Sequence, residues 1–192
     1  MEPTLHPLCE PLRSLLGVWR GSGHGEYPTI EPFDYTEEVT FSHAGKPFVA
    51  YVQRTTLAST GLPAHAESGY LRAVGDDRYE FVISSPTGLV EIDRAVVTSG
   101  ATLTIDATAT EVHRTPSAKS VSALERRIVV DGDSLRYEFA MAAMGQPLTH
   151  HLRAELRRQQ EDGGVLAVGH GPHQRGQPIP SRRGSREPLR LA

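Results

Sequence analysis

From residue 33 onward, apolar and polar side chains alternate with a period of two. Phe33, Tyr35, Val39 and Phe41 alternate with Asp34, Thr36, Glu38 and Thr40, the mark of a strand with one face in a core. Glu37 interrupts the apolar face. A turn over His43 to Pro47 leads into a β-rich run from Phe48 to Thr55, and Thr60 to Pro63 turns the chain back. In the run Ser68 to Val74, Tyr70 and Arg72 share one face and Leu71 and Ala73 the other. Further strands are predicted at Tyr79 to Ile83, Leu89 to Ile92, Ala95 to Thr98 and Leu103 to Ala107, followed by an irregular link over Thr110 to Ser117. Val121 to Val130 and Leu135 to Met141 flank Asp131-Gly132-Asp133, a hairpin signal. Short strands with turns about every eight to twelve residues, and no βαβ alternation, predict an all-β barrel or sandwich. The short turns between consecutive runs favour a closed antiparallel up-and-down barrel of nine or ten strands.

Three stretches depart from this pattern. Leu5, Leu8, Leu12, Leu15 and Leu16 have helical spacing, but Pro7 and Pro11 restrict it to one or two short turns, a lid or plug. Leu148 to Leu156 fits both a helix and a strand; closing a barrel requires a last strand, so a strand from about Leu152 is expected. Gly17 to Ile30 packs the single Trp of the chain and four Gly into fourteen residues. Each Gly weakens regular structure and permits close backbone approach, so neither a plain strand nor a helix is expected there, and backbone meets something at that place.

Composition narrows the picture. The 192 residues, 38% hydrophobic and 22% charged, suit one soluble domain, and no apolar run approaches the length of a membrane helix. A net charge of -3 argues against nucleic acid as a partner. No secretory signal is evident, and the single Cys9 suits a reducing compartment, so a cytoplasmic protein is expected. Cys9 reads as a small buried hydrophobe rather than a reactive thiol. Residues 161–192 lose the aliphatic pattern and read as a disordered tail, leaving residues 1–160 as the barrel; the tail's His170, His173 and Arg residues read as solvated.

No zinc-protease, Cys-x-x-Cys, nucleophile-elbow or Walker pattern is present, and the Gly-rich stretch is no dinucleotide fingerprint because it follows no strand and opens no helix. What remains is the pair His150-His151 in an apolar context. Neighbours in an extended chain point to opposite sides, so at most one reaches an interior ligand. One neutral imidazole facing an apolar pocket is the minimum that a haem requires. Glu37 is expected to be a buried partner of Arg72 or Arg54.

Gly17-Val18-Trp19-Arg20-Gly21-Ser22-Gly23 matches the GxWxGxG motif of the nitrobindin family. The likeness continues through Tyr27-Pro28-Thr29-Ile30, Tyr35 to Phe41, His43 to Phe48, Gly69 to Arg72 and Gly145 to Leu152, and spans about residues 8–158. The chain therefore resembles that family. The resemblance implies a ten-stranded barrel shaped like the fatty-acid-binding proteins and lipocalins, with Trp19 and the first strand closing it. It implies one haem b per subunit, with His151 as the axial iron ligand, His150 as a mere neighbour, and Thr29 and Lys119 beside the haem. It further implies isomerisation of peroxynitrite to nitrate at ferric iron, binding of nitric oxide, and protection against reactive nitrogen species. A homodimer is the oligomer to look for. The alternatives are a non-catalytic carrier of an apolar molecule and a haem or nitric-oxide sensor.

Overall fold

The computed structural model describes residues 3–75 and 78–160. The tail, with His170 and His173, lies outside the described residues. Ten antiparallel strands follow one another: β1 (Gly17–Tyr27), β2 (Ile30–Ser42), β3 (Phe48–Leu57), β4 (Pro63–Gly75), β5 (Arg78–Ser85), β6 (Leu89–Ser99), β7 (Leu103–Arg114), β8 (Val121–Asp131), β9 (Ser134–Ala143) and β10 (Thr149–Arg158). Each pairs with its sequence neighbours, and β1 pairs with β10, so the sheet is a closed up-and-down barrel. Among the described residues, no helix is long and apolar enough to cross a membrane.

Several expectations need correction. The Gly-rich stretch is a regular strand, β1, paired on both sides, from Trp19 opposite Arg158 to Gly25 opposite Leu152 and from Gly17 opposite Phe41 to Gly25 opposite Phe33. Its glycines serve the inner face. A Cβ on Gly21 would stand 2.0 Å from the Glu155 carbonyl oxygen, and one on Gly23 or Gly25 would stand 2.3 Å from the Tyr35 or Phe33 ring. The two runs read from Leu89 to Thr98 form one strand, β6, whose register shifts between Ile92 and Asp93. The link expected from Thr110 is strand as far as Arg114, and β10 begins at Thr149 rather than Leu152.

Alternate hairpins place the connections 28–29, 58–62, 86–88, 115–120 and 144–148 at one end of the barrel. The other end is plugged. A 3-10 helix (Pro7–Leu15) begins with the His6 side chain accepting from Leu8 N, and it buries Cys9, Leu12 and Leu15. Trp19 Nε1 donates to the Leu15 carbonyl at 2.8 Å, and the Tyr79 hydroxyl donates to the Leu8 carbonyl at 3.0 Å. The Arg158 guanidinium covers the Trp19 ring at 4.1 Å and bonds the Leu16 and Ser14 carbonyls, joining the plug to the last strand. Cys9 is fully buried, and burial pushes its thiol pKa up, as befits a core side chain.

Above the plug the interior holds a polar layer. Arg126 on β8 is buried, with its guanidinium carbon 5.2 Å from the Phe139 ring centre and 5.6 Å from that of Phe81. Its nitrogens lie 2.9 Å from Glu67 and 3.1 Å from Glu91. Burial pushes the Glu91 and Asp93 carboxyls up, with Arg126 opposing. For Glu67, burial is outweighed by Arg126, His65 and Tyr51, and the carboxyl is brought down to about 2. Glu37 pairs with neither Arg72, which bonds Glu80 on the outside, nor the exposed Arg54. Its side chain accepts from Gln53 Nε2 and meets the Tyr137 hydroxyl at 2.8 Å, and burial pushes it up to about 7.

Two predictions follow from the packing and the polar layer. Gly21→Ala, measured by urea unfolding, loses at least ~1–3 kcal/mol because backbone must shift, whereas exposed Ser22→Ala stays within ~0.5 kcal/mol. Glu37 keeps its proton in the folded state above the pH at which the unfolded chain releases it. Its burial therefore lowers stability progressively as pH rises from about 4.5 through about 7, by about 3 kcal/mol at full extent. Glu67 acts oppositely: its contribution is present above about 4.5 and lost as pH falls towards about 2. Urea midpoints measured from pH 5 to 8 should decline, and Glu37→Gln should flatten that decline.

Candidate functional site

The described interior includes a cavity of about 810 Å³, within the range of small-molecule and cofactor sites. Toward the open end its wall carries Phe33, Phe139, Val121, Met141, His151 and Leu152; deeper in, Glu37, Gln53, Tyr51, Glu67, Glu91, Arg126 and Tyr137 line it. One chamber therefore combines an apolar wall around His151 with a hydrogen-bonded polar layer deeper in.

A fault in strand pairing puts His151 in this wall. Along β10, His150 stands opposite Ala140 and Leu152 opposite Phe139, so His151 is an extra residue in a β-bulge. A bulge re-aims side chains that strict alternation would send to opposite faces. Here both His151 and Leu152 line the cavity, whereas His150 does not. On the other side, β1 shifts register against β2 between Gly25 and Tyr27, and there the Glu26 carbonyl meets His151 Nδ1 at 2.9 Å. A carbonyl only accepts, so Nδ1 carries the proton and Nε2 keeps its lone pair. The ring is bounded by Tyr27, Phe139 and Phe33 at centroid distances of 5.4, 6.2 and 6.4 Å. Burial pushes the His151 pKa down, with the Glu26 hydrogen bond opposing, so the neutral ring is favoured.

The other residues singled out in the sequence divide. Lys119, in the connection after β7, lines the cavity and is exposed at its rim. Thr29 is an exposed turn residue between β1 and β2 and is not among the cavity-lining residues, although its turn belongs to the same end of the barrel. Gly17, Trp19, Gly21 and Gly23 are structural, as the packing of β1 shows.

Sequence reasoning missed His65, which lines the same cavity and lies 3.2 Å from Glu67. The signal was present in the phase of β4. Extending the inward face of Leu71 backwards by twos gives Gly69, Glu67 and His65.

The family profile described as THAP4-like, heme-binding beta-barrel domain matches residues 8–158. Over 160 residues the chain is 50% identical to peroxynitrite isomerase 1 of Mycolicibacterium paratuberculosis, covering 83% of this chain and 99% of that protein. It is also 50% identical over 155 residues to the peroxynitrite isomerase of Nocardia farcinica, covering 80% and 92%. The crystal structure of Rv2717c from M. tuberculosis superposes with a TM-score of 0.79 at 42% identity, over 82% of this chain and all of that one. A phycobiliprotein lyase from Guillardia theta, 8% identical with a TM-score of 0.51, shares the fold alone over 77% of this chain and 90% of its own. With the motif, the closed ten-stranded barrel and the family match in agreement, the chain belongs to the THAP4-like, heme-binding beta-barrel domains, the nitrobindin family.

Proposed function

We propose that residues 1–160 bind one haem b at the open end of the barrel through His151 and use it to isomerise peroxynitrite to nitrate. The observation that carries this reading is the His151 imidazole, held through Nδ1 by the Glu26 carbonyl and brought by the bulge into the cavity wall among Phe33, Phe139 and Leu152. The donor set fits the group. Haem brings its own equatorial nitrogens and needs from the protein one axial nitrogen and apolar cover. Among the described residues, no cluster of three or more His, Cys, Asp or Glu offers a metal site of another kind. The names of the relatives, peroxynitrite isomerases at 50% identity, support the reaction.

When bound, haem would supply the ferric iron chemistry that isomerises peroxynitrite to nitrate and, in the ferrous state, would take up nitric oxide. His151 would hold the haem iron through Nε2, with the Glu26 carbonyl fixing the tautomer and ring orientation, as outer partners of metal-bound histidines generally do. Phe33, Phe139 and Leu152 give apolar cover and exclude water. Lys119 at the rim would be the cation for a propionate, and Thr29, in a turn at the same end of the barrel, would offer it a hydroxyl. The rearrangement consumes no outside electron or proton, so this reaction needs no reductant. Its consequence is protection of a reducing, cytoplasmic setting from reactive nitrogen species.

Wild-type protein reconstituted with haem should show a ferric Soret band. His151→Ala should weaken haem binding by at least the about 10–100-fold that the loss of an orienting partner costs, while His150→Ala retains it; equal titrations for wild type and His151→Ala would remove the axial assignment. In stopped-flow mixing, the haem-loaded chain should speed peroxynitrite decay and lessen nitration of added tyrosine. Decay no faster than in buffer would assign the barrel to carriage of an apolar molecule instead.

A further inference from the structure

The cavity holds a second imidazole that the reading above does not use. His65 is the third residue of β4, at the open end. Around the closed sheet, β4 and β10 are separated by four steps in one direction and six in the other. His65 and His151 therefore stand on nearly opposite walls of the same mouth.

His65 is held in place. Its backbone N donates to Thr55 Oγ1 at 2.8 Å, and its Nε2 lies 3.2 Å from Glu67 Oε2. Glu67 accepts from the Tyr51 hydroxyl at 2.6 Å and pairs with Arg126 at 2.9 Å. These partners keep the carboxylate ionised, and an ionised carboxylate only accepts. Nε2 of His65 therefore carries its proton, and Nδ1 keeps a lone pair to which no hydrogen bond runs among the described residues. A carboxylate that holds one imidazole nitrogen as a donor and leaves the other with its lone pair, on a residue that lines the ligand cavity, is the arrangement of a general base. Glu67 also offsets the positive charge that the ring acquires when it takes a proton.

We propose that His65 is the base of this cavity, taking the proton from a small weak acid H–X that enters opposite His151, so that X⁻ is delivered to the haem as the anion. The inference rests on the haem reading above. In this step the H–X bond breaks, its electron pair stays on X, and the proton bonds to Nδ1. Glu67 stabilises the resulting imidazolium through Nε2–H, and the proton leaves to solvent through the open mouth, so no co-reactant is consumed. Peroxynitrous acid is an acid of this class. Hydrogen cyanide is another, and it serves as the probe.

The test is the association rate of cyanide with the ferric, haem-loaded full chain, compared with that of carbon monoxide for the ferrous chain, which carries no proton. His65→Leu and His65→Gln should each slow cyanide by on the order of 100-fold while leaving carbon monoxide association and the Soret band as in wild type. His65→Gln retains a polar partner for Glu67 but no base, so a loss shared by both variants belongs to proton transfer and not to packing. The half-exposed position of His65 makes both replacements compatible with folding. Cyanide rates unchanged in both variants would overturn the proposal, and so would equal slowing of cyanide and carbon monoxide, which marks a reshaped mouth. A wild-type ferric spectrum that changes from low-spin to high-spin on His65→Leu would overturn it too, because His65 would then be an iron ligand. Failure of the haem reading shows separately, as a missing Soret band in wild type, and would remove both.

Discussion

The pairing of β1 with β10 turns a ten-stranded ribbon into a barrel, and the site depends on that closure. Without it, β1 and β10 would be free edges, and the Glu26 carbonyl and His151, which lie on the two sides of the seam, would not meet. Beyond Trp19, the inner face of β1 from Gly21 to Gly25 takes up almost no space. Tyr35 and Phe33 lie against Gly23 and Gly25, and the Glu155 carbonyl presses on Gly21. Gly69 plays the same part on β4, where a Cβ would stand 2.0 Å from the Val82 carbonyl oxygen. The residues that look least suited to a strand are those that let the strands coil tightly.

Ten strands also make the cavity. Eight strands enclose an interior just wide enough for side chains to fill, and the width grows with strand number. Here the plug and large residues such as Trp19 and Phe81 fill one end, and the other remains hollow. Below the hollow the interior is narrow enough for a long side chain to reach the facing wall, as Arg126 on β8 does to Glu67 on β4. The buried charges are accordingly gathered into a layer around one cation, with Arg126 between Glu67 and Glu91 and aromatic rings over its faces. Such a network is expensive in desolvation and adds little net stability by itself. It ties β4, β6 and β8 together, and it keeps Glu67 ionised beneath the mouth, where His65 makes use of it.

Most of the barrel was legible because a half-buried strand has a period of two and turn residues punctuate it. Where the reading failed, a specific cause can be named. The split of β6 at Asp93 followed from acidic residues at Glu91 and Asp93 on the inward face, where Arg126 offsets them from another strand. The partner of Glu37 was sought among arginines, but the structure supplies Gln53 and Tyr137 instead, since burial of the carboxyl in its neutral form needs no cation. His65 passed unnoticed because a lone His between two Ala residues has no local motif. Its meaning comes from the opposite wall, which only the closure supplies.

The choice between His150 and His151 shows what a sequence pattern can and cannot decide. Alternation allows one of two adjacent residues to face inward, and counting back from the buried Ala154 and the cavity-lining Leu152 would nominate His150. The bulge breaks that count. By inserting one residue between Ala140 and Phe139 of the partner strand, β10 places His151 on the cavity side next to Leu152 and leaves His150 outside the lining. The inserted residue gives up its place in the β9–β10 ladder, and its ring takes a hydrogen bond with the Glu26 carbonyl across the seam instead. Breaking the alternation at this point provides both the inward imidazole and the backbone acceptor that fixes its tautomer. The same local irregularity therefore sets which histidine is available to a cofactor and which of its nitrogens faces the cavity.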